Sequence, residues 1–244
     1  MGVILIETAT AVCSVALSKN GRSVFEKASF DGPSHASLLG VFVDEVVQKA
    51  KAEGISIDAV AVSSGPGSYT GLRIGVSMAK GLCFGYGVPL VSIPTLKILA
   101  LKAINGLIAD ALADDALADD ALADDALFCP MIDARRMEVY TALYDSSLRI
   151  VQDTKAEIVT EESYAQLLEK RRIYFAGNGA PKCKSVIHSP QAVFLDDMYP
   201  LASDMAALAE RALKEKQFEN VAYFEPFYLK DFIATTPKNT VFER

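Results

Sequence analysis

Histidine is nearly absent from this 244-residue chain: there are two, His35 and His188, and neither falls in an H-x-x-x-H or H-E-x-x-H spacing. The four cysteines, Cys13, Cys83, Cys129 and Cys183, lie far apart and form no C-x-x-C pair. That excludes a sequence-local zinc knuckle, a redox dithiol and a metalloprotease centre, and it leaves metal-dependent catalysis without ligands. Isolated thiols of this kind read as buried, reduced side chains of a cytosolic protein. No G-x-S-x-G elbow and no G-K-S or G-K-T phosphate loop occurs. Long apolar runs are missing too. The longest uncharged stretch, residues 81–96, is interrupted by three glycines and two prolines and does not suit a bilayer span. Residues 1–6 lead straight to Glu7 without a basic region or cleavage site, so no secretory signal is expected, and Ile6 stands where myristoylation wants Ser or Thr. Finally, positive charge is in deficit: 24 Lys and Arg against 31 Asp and Glu give a formal net charge of −7. That argues against a self-sufficient nucleic-acid binder, and the small basic clusters at 135–136, 170–172 and 182–184 read as solvated patches.

What is present centres on residues 63–75, S-S-G-P-G-S-Y-T-G-L-R-I-G. An apolar run at 59–62 feeds the glycines and a periodic segment at 72–86 follows, so the stretch reads strand, Gly-rich turn, helix. Two readings of the turn stay open. Gly65, Gly67 and Gly71 allow close backbone approach, and a helix starting near Thr70 or Gly71 would aim N–H groups at an anion. Against that, the spacing G-x-G-x-x-x-G departs from the dinucleotide fingerprint, Pro66 cannot donate, and a purely structural turn accounts for the glycines.

In chain order, apolar runs at 3–6, 11–17 and 23–30, the last two joined at Asn20-Gly21, predict three strands, and Glu7 follows the first of them directly. Ser34 is positioned to cap a helix over 35–52. On it Leu38, Leu39, Phe42, Val43, Val46, Val47 and Ala50 cover an arc of about 180°, where packing on one sheet needs little more than about 100°. The surplus predicts burial on two sides, the second being either the helix after the Gly-rich turn or another subunit. That next helix carries Gly71 with Gly75 and Gly81 with Gly85, two i,i+4 pairs that leave smooth surfaces. A strand at 90–93 and a helix from Thr95 to about 107 complete a βββαβαβα order, which matches the repeating half of the actin, sugar-kinase and Hsp70 architecture.

Residues 109–127 are a low-complexity insert built on A-L-A-D-D. A five-residue repeat turns a helix by about 500°, so its leucines never share a face, and an exposed acidic helix or disordered spacer is expected in place of core. Its seven aspartates account for the whole net charge, since without them the chain is neutral, and their spacing is not that of an EF-hand. Beyond it the order returns: strands at 128–132, 137–144 and 148–153, a helix at 161–170 capped by Thr160, a strand at 173–176, then Gly177-Asn178-Gly179. Asp133 occupies the place of Glu7, and the second Gly-rich turn the place of the first. We read a duplicated α/β fold of two lobes facing a cleft, in which Glu7, Thr8, Gly65, Gly67, Ser68, Asp133, Gly177 and Gly179 are the candidate nucleotide-facing loop residues. A last helix at 201–216 and an aromatic tail, P-F-Y-L-K at 226–230, close the chain.

S-G-P-G-S-Y-T-G-L-R-I-G at 64–75 resembles the signature of the TsaB (YeaZ) family, small partner subunits of bacterial tRNA threonylcarbamoyladenosine synthesis. So do I-E-T-A-T and C-S-V-A-L within 6–17, Ser34 with His35, Leu38 and Leu39, M-I-D-A-R-R-M-E-V-Y at 131–140, G-N-G-A at 177–180 and P-F-Y-L-K. The resemblance covers most of the chain outside the insert. It implies a two-lobed actin-like (ASKHA, ribonuclease H-like) fold: residues 1–108 with 200–232 packed back on them, 128–199 as a smaller lobe, and 233–244 loosely held. It implies a noncatalytic cytoplasmic subunit that dimerises with itself or with its catalytic relative TsaD, joined by the ATPase TsaE and meeting tRNA only through the complex. The pairing would use the first two helices, through His35, Leu38, Leu39, Phe42, Val43, Val46, Gly71, Gly75, Met78 and Leu82. No tightly bound cofactor is expected, with ATP or ADP and magnesium compatible with the assembled complex. The alternative is an autonomous ATP-binding transferase or peptidase-like enzyme of the same superfamily. Glu7 departs from the Asp usual at the magnesium-holding place, and the A-L-A-D-D insert is foreign to the family pattern.

Overall fold

The computed structural model describes residues 1–32, 34–113 and 125–230. Most of the acidic repeat and the segment 231–244 fall outside them, and with these go the expectations of an acidic spacer and a loosely held end.

The first lobe is one mixed sheet of β1 (Gly2–Glu7), β2 (Cys13–Lys19), β3 (Arg22–Ser29), β4 (Ile57–Ser63) and β5 (Leu90–Ile93) in the order β3-β2-β1-β4-β5. β1 pairs antiparallel with β2, Ile4 opposite Leu17, and parallel with β4, Ile4 beside Val60. Because side chains alternate across a strand, both faces of β1 are apolar and both are covered. Ile4 and Ile6 face α1 (His35–Ala52) and α2 (Tyr69–Tyr86), while Val3 and Leu5 face α6 (Ala206–Lys214).

The second lobe repeats the plan. β6 (Leu127–Asp133), β7 (Glu138–Asp145), β8 (Ile150–Ile158), β9 (Ile173–Ala176) and β10 (Ala192–Leu195) lie in the order β10-β9-β6-β7-β8. Every pairing keeps the sense of its first-lobe counterpart: β6 with β7 and β7 with β8 antiparallel, β6 with β9 and β9 with β10 parallel. The duplication read from element order is therefore a duplication of sheet topology. α3 (Thr95–Ala113) joins the lobes and packs Leu99, Ala103 and Ile104 on the second sheet, against Phe128, Ala142 and Tyr174.

Several elements differ from the sequence reading. α3 runs past 107 to Ala113, and Leu127, assigned to the insert, opens β6 with Ala126 buried beside it. Thr160 heads a turn in place of a long helix: its hydroxyl donates to Glu162, its N–H to Ser163, and helix forms only at α4 (Ala165–Leu168), entered through Tyr164 at φ +64°. Ser34 precedes α1 without a side-chain cap, its hydroxyl donating to Gly32 O. The second Gly-rich turn is followed only by the single turn α5 (Ala180–Cys183). The last helix is a 3₁₀ turn at Ser203–Met205 leading into α6, pinned where Ser203 donates twice to Glu26 and Lys102 pairs with Asp204. β10 is a short half-buried edge strand additional to the strands expected from the sequence.

Candidate functional site

The two turns that leave β1 and β4 are built into each other. Thr8 Oγ1 donates to Gly71 O at 2.8 Å, and the Ser68 N–H donates to Ala9 O at 2.7 Å. Ser68 also caps α2, accepting the Gly71 N–H at 3.2 Å. The glycines permit this seat. A Cβ at Gly67 would lie 2.4 Å from Ala9 O, one at Gly71 2.2 Å from Thr8 O, and one at Gly75 2.2 Å from Thr8 Oγ1. Close backbone approach is thus made to the chain's own β1–β2 turn. Gly65, at φ +103°, has the Phe227 carbonyl where a Cβ would point, 2.7 Å away.

Glu7 ends β1 wholly buried. Its Oε1 accepts the Ala9 N–H at 2.6 Å, and the buried Ser63 hydroxyl at the end of β4 interacts with the same carboxyl. Burial pushes the carboxyl up to about 8 against the opposing pull of the Ala9 N–H and the Ser63 hydroxyl. Closed off from solvent, the Glu7 side chain is not presented to a hydrated ion at the surface of this turn. Of the loop residues singled out in the first lobe, Glu7, Thr8 and Gly65 are buried, Gly67 is half-buried and Ser68 is exposed.

The raised carboxyl sets a pH dependence. Below about pH 4.5 Glu7 is protonated in both folded and unfolded chains and its contribution to stability is fully present. Between there and about 8 the unfolded chain releases the proton and the folded one keeps it, so stability falls by up to about 1.4 kcal/mol per pH unit from this group. Glu7→Gln keeps the acceptor for Ala9 and removes the ionisation. Urea denaturation at pH 5 and pH 8 is expected to find wild type losing more stability between the two than the variant; parallel losses would contradict the assignment.

In the second lobe the matching turn has a different character. Asp133 ends β6 exposed, pairs with Lys182 and accepts the Arg135 N–H at 2.9 Å, and its own N–H donates to Asn178 at 3.1 Å. Gly177 and Gly179 are buried against the backbone of Met131 and Ile132. Glu7 and Asp133 hold equivalent places in their sheets, but one is buried and neutral while the other is solvated and ion-paired. The four cysteines are buried free thiols, each pushed up by burial to about 11 or 12. None is activated as a nucleophile.

The predicted partner face divides in two. His35, Leu39, Val43 and Val46 of α1 and Gly71 and Gly75 of α2 are buried within the chain. They belong to the core and to the seat on Thr8, and are not available to a partner. Leu38, Phe42, Met78 and Leu82 remain partly exposed. Met78 and Leu82 line an open, largely apolar groove of about 620 Å³ between α1 and α2, with Ala36, Arg73, Ile74, Ser77 and Gly81. Around it Val41 is 53% and Phe84 89% exposed, and nothing stands within 4 Å of where a Cβ would be at Gly40, Gly81 or Gly85. The second glycine pair is therefore the open one. Ile74, Met78 and Leu82 recur at i, i+4 and i+8, so Ile74 joins the two predicted groove residues on the same face of α2.

Two lobes of one topology, each with its Gly-rich turn after the fourth strand's place, define an actin-like α/β protein. The chain belongs to the family described as "TsaD: tRNA N6-adenosine threonylcarbamoyltransferase", whose model matches residues 31–238. Along nearly its whole length it is similar to the tRNA threonylcarbamoyladenosine biosynthesis protein TsaB of Escherichia coli (strain K12), at 28% identity over 96% of each chain. The solved structure of YeaZ from Pseudomonas aeruginosa aligns with a TM-score of 0.73 and 25% identity, covering 93% of this chain and 99% of that one. Similarity to the tRNA N6-adenosine threonylcarbamoyltransferase of Geobacillus kaustophilus is more local, 33% identity over 37% of this chain and 31% of that one. These agree with the resemblance read from the motifs. Among the described residues no helix is long and apolar enough to cross a membrane.

Proposed function

We propose that this chain is a noncatalytic subunit of the assembly that makes N6-threonylcarbamoyladenosine next to the anticodon of ANN-reading tRNAs, and that it acts by pairing the α1/α2 face with TsaD and activating it. Alone, it pairs through the same face with a second copy; TsaE and tRNA are met in the assembly. The observation that carries the reading is the groove: the half-buried Ile74, Met78 and Leu82 line it beside open glycines, on a helix whose other side is used by the core. Apolar surface rimmed by polar and charged groups such as Arg73 and Ser77 is what a protein partner buries. The names of the full-length relatives support the pathway. Separation of the two histidines supports the division of labour, because His35 starts α1 in the first lobe and His188 lies between α5 and β10 in the second. ATP or ADP with magnesium enters this scheme only through the assembly.

The test is reconstitution of threonylcarbamoyl transfer to tRNA from purified components. This chain alone is expected to give no product, TsaD alone little, and the two together, with TsaE, full turnover. Product formed by this chain without TsaD would instead favour the autonomous transferase.

A further inference from the structure

The C-terminal segment after α6 is not packed on one lobe only. It starts on the first lobe, where the Glu219 N–H donates to Leu90 O at 2.9 Å and its carboxylate accepts from Ser92. Val221 and Phe224 then pack on the core beneath α1 and α2, and Lys80 of α2 donates to Ala222 O at 3.2 Å. At the Gly-rich turn the Phe227 N–H donates to Ser64 O at 2.7 Å, with the Phe227 carbonyl against Gly65. The Tyr228 ring lies 4.7 Å from that of Tyr69, the first residue of α2. Two residues later the segment is on the other lobe: Lys230 pairs with the carboxylate of Glu138, the first residue of β7, and its ammonium sits 5.9 Å from the centre of the Tyr140 ring. The lobes are joined covalently through α3 and through the stretch between β10 and α6, and this segment adds a third crossing made without a covalent bond.

We propose that residues 219–230 are a latch that holds the β6–β7 hairpin of the second lobe against the first Gly-rich turn, with the Phe227 carbonyl covering Gly65. The two halves of the latch differ in strength. The first-lobe half is hydrogen-bonded backbone with the half-buried Phe224 and Tyr228 rings, whereas the second-lobe half is a part-exposed ion pair with a cation–π contact, individually weak and sensitive to salt. Opening therefore begins at Lys230, with Phe227 and Tyr228 still seated. Any ligand or partner that reaches the backbone at Gly65 has to lift this segment first, because the Phe227 carbonyl already occupies the approach.

Amide hydrogen exchange on the full chain tests the latch. Lys230→Glu is expected to speed exchange about threefold or more in the hairpin around 134–140, and Tyr228→Ala to do so at the 64–67 turn as well, while α1, β1 and β9 keep their wild-type rates. The exchanged pair Glu138→Lys with Lys230→Glu restores the opposite charges and is expected to return the hairpin to its wild-type rate. Unchanged hairpin exchange in Lys230→Glu would overturn the proposal. So would acceleration throughout both lobes that the charge swap does not reverse, since the segment would then be ordinary core and not a latch.

Discussion

Gly71→Ala is expected to destabilise the folded chain by about 3 kcal/mol, although helix propensity alone predicts a gain of roughly 1 kcal/mol for that change inside a helix. The added methyl would stand 2.2 Å from Thr8 O, a backbone atom fixed at the end of a central strand. Neither partner can swing away. α2 has to move off the β1–β2 turn, and with it go the Thr8 hydroxyl bond to Gly71 O and the Ser68 bond to Ala9 O. Gly81→Ala, in the same helix, is the control: its Cβ would meet open space, so the propensity gain should appear undiminished. Urea denaturation of both variants checks the pair. A Gly71→Ala chain stabilised like Gly81→Ala would mean that the two turns are not seated on each other.

Charges placed in the groove should separate association from folding. In the double variant Met78→Glu, Leu82→Glu both carboxylates start from partly exposed positions, so the cost to the fold is expected to stay within about 1 kcal/mol. In a complex the same charges would be desolvated against an apolar partner, which costs several kcal/mol, so affinity for TsaD and self-association should drop by about 100-fold or more. Titration calorimetry with purified TsaD and sedimentation of the chain alone read the two effects. Leu39→Glu and Val46→Glu behave differently. Those side chains are 1% and 0% exposed among Ile4, Val15 and Val60, and a carboxylate there unfolds the first lobe before any partner is met.

The fold was largely legible because its signals are local. Alternating strands, the Asn20-Gly21 hairpin and the 35–52 helix each come from neighbours in sequence, and their order recurs after the insert. α1 was even bounded at both ends as observed. Short second-lobe elements escaped for the same reason. α5 and β10 each run for four residues and are held by packing in the second-lobe core around Phe175, Cys129 and Ile173 more than by any periodic pattern, and the helix expected at 161–170 shrinks to the four residues of α4. The site was less legible. A glycine pair that lets two backbones approach reads the same whether the second backbone belongs to another protein or to Thr8, so Gly71 and Gly75 were assigned to a partner while Gly81 and Gly85 are the open pair. The wide apolar arc of α1 had the same ambiguity: Leu39, Val43 and Val46 face its own sheet and only Leu38, Phe42 and Val41 flank outward. Burial of Glu7 depends on what covers the end of a strand, which no local pattern encodes.

The central claim is that a partner sits on α1 and α2. Photo-cross-linking tests it most directly, with a photoreactive residue placed singly at Met78, at Gly81 or, as the competing surface, at Val151 on the exposed apolar edge strand β8. On mixing with TsaD, covalent adducts are predicted from positions 78 and 81 and not from 151. Adducts from 151 alone would move the partner to the second lobe and contradict the account.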